Sequence, residues 1–296
     1  MARVAVQLTN FTGGELSPRL DGRNDLQKYS TGCKTLENMI IFPHGSAARR
    51  SGTQFVAEVK DSTKETRLIP FEFSTTQTYI LEFGNQYIRF FKDNGQILSS
   101  GSPYEISSPY LEAELFDIKF AQSADVMYIC HPNHPAKKLS RTGHTSWSLT
   151  SVDFTDGPYM DENISSTTIS TSAHTVGTGR TLTASSTTGI NDNTGFQTTD
   201  VGRLIRFRDG YGKITARTST TVVTIEILED MGSSSASANW SLGAFSETTG
   251  HPSCVTFFEQ RLVFAATLSQ PQTIFFSKSG DYENMDENRG GTIADD

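Results

Sequence analysis

From residue 66 onward the chain is cut into short runs of alternating apolar and polar residues, each closed by a turn signal. TRLIPFEFS, QTYILEFGNQYIRFF, FDIKFAQSADVMYICH and SWSLTSVDF all follow this pattern. A period of two sends successive side chains to opposite faces of a strand, so the stretch is constrained to sheets. Phe83 to Gln86 reads as a hairpin turn, and Asp93-Asn94-Gly95 as a stronger one, because Asn-Gly suits a type I′ turn. With 19 Phe, 9 Tyr and 24 Gly, the composition favours strands joined by tight turns. The expected fold class is mainly β.

Residues 1–65 depart from this pattern and read as an N-terminal segment rich in Gly, Arg and polar residues. Leu26, Tyr29, Cys33, Leu36 and Met39 recur every three or four positions, which predicts a short helix over 25–39 with Asn24 as its N-cap. The stretch IIFPHGSAARRSGTQFVAEV then reads as strand, turn, strand. Composition shifts near Gly157, and residues 161–200 are mostly Thr, Ser, Gly and Asn. VGRLIRFRDGYGKITARTSTTVVTIEIL at 201–228 is strand material with Asp-Gly and Tyr-Gly turns. Together they predict a small inserted β domain at 158–243, between β regions at 66–157 and 244–296.

An internal repeat frames the insertion. FAQSADVMYICHPNHPAKKLSR at 120–141 matches FFEQRLVFAATLSQPQTIFFSK at 257–278. Val126, Met127 and Tyr128 pair with Leu262, Val263 and Phe264, Pro135 with Pro271, and Leu139 with Phe275. Each copy stands near a Trp-Ser-Leu, at Trp147 and Trp240. Once an insertion of about 85 residues is removed, the copies lie about 50 apart, a spacing typical of β-propeller blades. Partial propeller-like blades are therefore expected.

The chemistry-bearing residues are few. Cys130, His131 and His134 cluster in CHPNHP, but the repeat replaces them with Ala266, Thr267 and Gln270. A structural zinc site uses four convergent ligands; only three come locally, and His44, His144, His174 and His251 supply no second paired spacing. The cluster reads as a strand ending in a turn, with no metal, cofactor or catalytic residue expected. The carboxylate pairs Glu112/Glu114 and Asp281/Glu283 read as solvated surface, and Arg203, Arg206 and Arg208 as a polar strand face. Nucleotide-loop, metalloprotease and serine-hydrolase motifs do not occur.

A net charge of −8 disfavours a surface that grips nucleic acid or membrane, yet suits a wall past which DNA slides. Three widely spaced cysteines, Cys33, Cys130 and Cys254, give no disulfide framework and imply synthesis in a reducing compartment. No stretch approaches the roughly 20 apolar residues of a membrane span, and the N-terminal apolar run is too short for a signal peptide.

The N-terminal sequence carries a more specific signal. Phe11 to Pro18 (FTGGELSP), Tyr29, Gly32-Cys33, Leu36-Glu37-Asn38, Pro43, Gly45 and Arg49 to Thr53 (RRSGT) together resemble the tail nozzle proteins of short-tailed bacteriophages, also called tail tubular protein B. Gly250-His251-Pro252 to Phe264, Gln270 to Ile274 and Ser277 to Tyr282 extend the resemblance beyond the insertion. The insertion resembles a small β domain of ubiquitin-activating enzymes. It contains no cysteine, so nothing catalytic follows.

The resemblance implies a non-enzymatic virion protein, made in the bacterial cytoplasm and built into the tail. It implies a homo-hexameric ring below the portal, in contact with a tail adaptor and with tail fibres as possible partners. DNA would leave through the ring without sequence-specific binding. Arg19, Arg23, Arg49 and Arg50 are the candidate assembly interface, since guanidinium groups suit an acidic partner surface. Nozzle proteins are usually longer, so the chain is expected to be a truncated product or a fragment. A receptor- or carbohydrate-binding module, with the Thr-rich insertion as its recognition domain, is the alternative reading, and a propeller-based glycan hydrolase a more distant one.

Overall fold

A computed structural model describes residues 7–74 and 76–286. Strand accounts for 43% of the structure and no helix reaches seven residues, so the layers are sheets, one of them curled into a half-barrel. The terminal GGTIADD stretch lies outside the described residues. Contacts divide the chain into two units, 1–56 and 57–296.

In the first unit, Gly14–Glu15 pairs in parallel with Gly32–Cys33, and Met39–Ile41 pairs antiparallel with Ala47–Arg49. The helix expected over 25–39 is confined to a five-residue 3-10 helix at Gln27–Thr31. Ser30 and Thr31 are weak helix formers. Gly32 then turns extended to meet Gly14, and packs so tightly that a Cβ there would sit 2.5 Å from Leu16 Cγ. The strand expected to run through GTQFVAEV stops at Arg49. Among residues 7–56, only Gly32 and Gly45 are buried.

The second unit opens with a five-stranded antiparallel sheet in which β1 (Arg67–Ser74), β2 (Gln77–Gly84), β3 (Tyr87–Lys92) and β4 (Glu105–Ser107) run in the order β4-β3-β2-β1, and the short strand Gly95–Gln96 also pairs with β3. A second antiparallel meander follows: β5 (Lys119–Ser123), β6 (Val126–His131), β7 (His134–Gly143) and β8 (Ser146–Ser151). The insertion contributes β9 (Ile169–Thr171), β10 (Gly177–Ala184), β11 (Leu204–Phe207), β12 (Gly210–Arg217), β13 (Val222–Ile227) and β14 (Trp240–Leu242), ordered β9-β10-β13-β12-β11-β14. A three-stranded meander of β15 (Cys254–Phe258), β16 (Arg261–Ala265) and β17 (Ile274–Phe276) closes the described chain.

Local turn chemistry accounts for several connections. Asp93 and Asn94 both take positive φ, 52° and 60°, as a type I′ turn requires. They are the central pair, one residue earlier than Asn-Gly alone suggests. Asp209 likewise lies in the β11–β12 turn. The Tyr211-Gly212 pair lies within β12 and is not a turn. Gly212 is there because β13 passes close: a Cβ would lie 2.5 Å from the Glu226 carbonyl oxygen.

Strand β6 explains why VMYIC reads as an unbroken apolar run. Met127 and Ile129 face a core shared with the first sheet, containing Phe71, Leu81, Phe83 and Phe90. Tyr128 and Cys130 face a second core shared with the last meander, through Leu262, Phe264 and Phe275. A strand buried on both faces has no polar alternation to show. The two repeat copies correspond strand for strand, but their register differs. Met127 faces Leu139, whereas Phe264, not Val263, faces Phe275. Trp240 does not belong to the repeat, because it pairs with Phe207 inside the inserted sheet and is buried in that sheet's own core.

The insertion leaves and rejoins the chain at one point. Tyr159 bridges Gly243, and the Met160 N–H donates to the Leu242 carbonyl at 2.8 Å. Two of the three arginines expected on a polar face anchor this junction, while Arg208 lies in the β11–β12 turn and donates to the Ser235 carbonyl. Arg203 is fully buried, donating to Asp200 Oδ1 at 2.9 Å and to the Gly243 carbonyl at 2.7 Å. Arg206 donates to Asp286 Oδ1 at 2.7 Å and to Asp156 Oδ2 at 3.4 Å. Arg203 precedes β11, and so escapes the face that strand alternation would assign it.

Trp147 is the centre of the first core. It lies 4.4 Å from Phe90, 4.8 Å from Phe71 and 5.3 Å from Tyr79, and its Nε1–H donates to the His144 carbonyl at 3.1 Å. Trp147→Ala is expected to lower unfolding free energy by about 3–5 kcal/mol in urea melts; a loss below about 1 kcal/mol would contradict this packing. Asp200→Ala strands the buried Arg203 charge and is expected to cost a similar 3–5 kcal/mol or so by the same measurement.

Candidate functional site

Two places in the structure gather chemically active side chains. The first is the β6–β7 hairpin tip. His131 and His134 are directly opposed across the two-residue turn Pro132-Asn133, so both rings lie on one side of the hairpin. Their ring centroids are 5.1 Å apart. The pairing shifts register between Ile129 and His131. Cys130 is buried in the core facing the last meander, so the Cys130-His131-His134 trio does not converge.

Glu114 takes the place of the cysteine. It ends the 3-10 helix Glu112–Glu114, where its carboxylate accepts the Leu111 N–H at 2.9 Å. Its Oε2 also lies 2.8 Å from His134 Nε2. One potential ligand atom from each of Glu114, His131 and His134 fits within a mutual 4.8 Å. Desolvation pushes the Glu114 carboxyl up, but the Leu111 amide and His134 outweigh it and hold the group below the usual glutamate range. Burial lowers the His131 pKa, so that ring is neutral at pH 7.

Around this tip, His131 Nδ1 accepts the Asn133 N–H at 3.2 Å. His131 Nε2 and the Tyr110 hydroxyl are buried without a hydrogen-bond partner. Tyr110 stands edge-on to His134 at 5.3 Å. The His251 N–H reaches the Pro132 carbonyl at 3.4 Å, and its ring pairs with Glu247 at 3.0 Å. The sequence reading missed Glu114 because it lies 20 positions before His134. Of the carboxylates read as solvated surface, Asp281 is exposed, while Glu112 accepts the Glu65 N–H at 2.7 Å and Glu283 binds Lys138 and the Tyr128 hydroxyl.

The second place is the first unit, where Arg19, Arg23, Arg49 and Arg50 are all exposed. Arg23 forms an exposed ion pair with Asp25 at 2.7 Å. Arg50 donates to Asn38 Oδ1 at 2.7 Å. Large apolar side chains are exposed in the same unit, including Ile40 at 49%, Phe42 at 40% and Phe55 at 77%. No known protein family and no characterised protein matches the chain.

His251 gives this region a pH response. Burial lowers its pKa, and Glu247 opposes the shift only in part. The unfolded chain therefore takes up a proton near pH 6.5 while the folded chain still refuses it. Stability then falls as pH drops below about 6.5, until the folded ring also titrates. His251→Gln is expected to flatten the decline in unfolding free energy between pH 7 and 5. An unchanged slope would show that His251 is not a source of it.

Proposed function

We propose that this chain is a structural component of a short bacteriophage tail, of the nozzle type, and that it works by assembly, not by catalysis. The observation that carries the reading is the first unit. Residues 7–56 bury only two glycines, while Tyr29, Met39, Ile40, Phe42 and Phe55 remain exposed. A segment with no apolar core of its own gains its packing from another surface. It is the same segment that holds the nozzle-like motif and the four exposed arginines. Homo-oligomerisation, in a ring of six, would supply that surface, and a tail adaptor would supply the end contact.

The meanders support the same reading. Three antiparallel sheets share two cores across the middle sheet, as successive blades of a propeller would. A stack of this kind is a stiff scaffold, and its net charge of −8 suits a conduit past which DNA moves without being held. Among the described residues no helix is long and apolar enough to cross a membrane.

The test pairs assembly with location. Native mass spectrometry and negative-stain microscopy of the full chain are expected to show closed rings. Arg49→Glu with Arg50→Glu is expected to leave monomers, with folding stability changed by no more than about 0.5–1 kcal/mol, since both residues are exposed. Serum against the chain should label the tail of intact particles. A double variant that assembles normally removes these arginines from the interface, and particles that carry no label overturn the tail assignment.

A further inference from the structure

We propose that Glu114, His131 and His134 form a binding site for a divalent transition-metal ion of the zinc class, which ties the Glu112–Glu114 turn to the β6–β7 hairpin. The site would exist whether or not the chain serves in a tail, so its test is independent of that reading.

Two features point to a cation. The donor set is two imidazole nitrogens and one carboxylate oxygen, the set used by zinc sites that keep a fourth position for water. Hard cations such as calcium prefer all-oxygen shells, which this cluster does not offer. Second, the hydrogen bonds present satisfy Glu114 and His134 but leave His131 Nε2 buried and without a partner. A His134–Glu114 contact alone would explain two of the three residues. It gives no reason to bury a second imidazole beside them.

The geometry needs only a small adjustment. With bonds of about 2.0–2.2 Å, tetrahedral donors stand about 3.4 Å apart. The His134–Glu114 contact would open from 2.8 Å, and the spread of 4.8 Å would close as the His131 ring advances. Pro132 and Asn133, which form the turn, are exposed, and their contacts to His251 and Glu114 are long, at 3.4 and 3.5 Å. The ring proton on His131 decides which nitrogen binds. For the buried Nε2 to bind, the proton moves to Nδ1, which gives up the 3.2 Å contact from the Asn133 N–H, a weak bond to lose. The Leu111 amide and Asn133 Nδ2, at 2.9 and 3.5 Å, would orient the carboxylate from outside.

The full chain, stripped with a chelator, would be titrated with Zn²⁺ against a chromophoric indicator. One ion per chain is expected, together with a thermal midpoint that rises with zinc concentration. With Co²⁺ in its place, the strong visible absorption of a four-coordinate ion is expected. His134→Gln, at a half-buried position that keeps the fold, should weaken binding by at least about 10–100-fold, the range that even outer partners of such sites carry. Glu114→Gln should do likewise. Failure of the unmodified chain to bind stoichiometric zinc overturns the site. So does undiminished affinity in His134→Gln, which would place the ion elsewhere on the surface.

Discussion

The structure depends on one strand being enclosed on every side. β6 is hydrogen-bonded to β5 and β7 along its edges, and it is buried on both faces. Met127 and Ile129 tie it to the first sheet, Tyr128 and Cys130 to the last meander. Each fully buried side chain of this kind contributes about 1.5–3 kcal/mol through apolar burial. The same enclosure fixes where β6 ends. The register shift beyond Ile129 and the tight turn at Pro132-Asn133 bring His131 and His134 opposite each other against Glu114. The histidine pair is thus held by a strand enclosed on both faces and both edges, which is how a precise arrangement of side chains can persist at a hairpin tip.

The first unit works on the opposite principle. Its strands are two or three residues long, and its hydrogen bonds are mostly between backbone groups, supplemented by side chains such as Asn10 and Glu15. Backbone bonding gives it a shape without a core. That leaves exposed Ile40, Phe42 and Phe55 beside exposed arginines, the mixture of apolar and guanidinium groups found at protein interfaces. One unit spends its apolar residues inward and the other presents them outward.

How much of this could be read in the sequence follows from the range of the forces involved. Hairpins such as those at Asn85-Gln86 and Asp93-Asn94 rest on neighbours two or three positions apart, so local patterning finds them. The inserted sheet is legible for the same reason, from the alternation of VVTIEI and LIRF. The helix over 25–39 fails because none of its spaced apolar side chains is fully buried, and Gly32 is needed extended beside Gly14. Arg203 and Glu114 were misread because charge is a surface signal only until a partner far along the chain removes it from water. Asp200 is near Arg203, but the Gly243 carbonyl that completes its shell is 40 positions away. Trp240 echoes Trp147 in letters alone, since each belongs to a different sheet.

The bridge between Tyr159 and Gly243 also bears on the order in which the molecule forms. Docking β15 onto the meander that ends with β8 requires closing a loop of about 100 residues, from Ser151 to Cys254, whose entropy cost grows with the logarithm of its length. If the insertion folds first, its joined ends shorten that loop to about 20 residues and reduce the closure cost by about 1.5 kcal/mol. Its core is self-contained, built from Ile169, Leu182, Phe196, Ile205, Phe207 and Ile225 among others, so it can form without the rest. An element that looks like an interruption in the chain is then a kinetic chaperone in cis: by collapsing early, it delivers the two halves of the scaffold to each other.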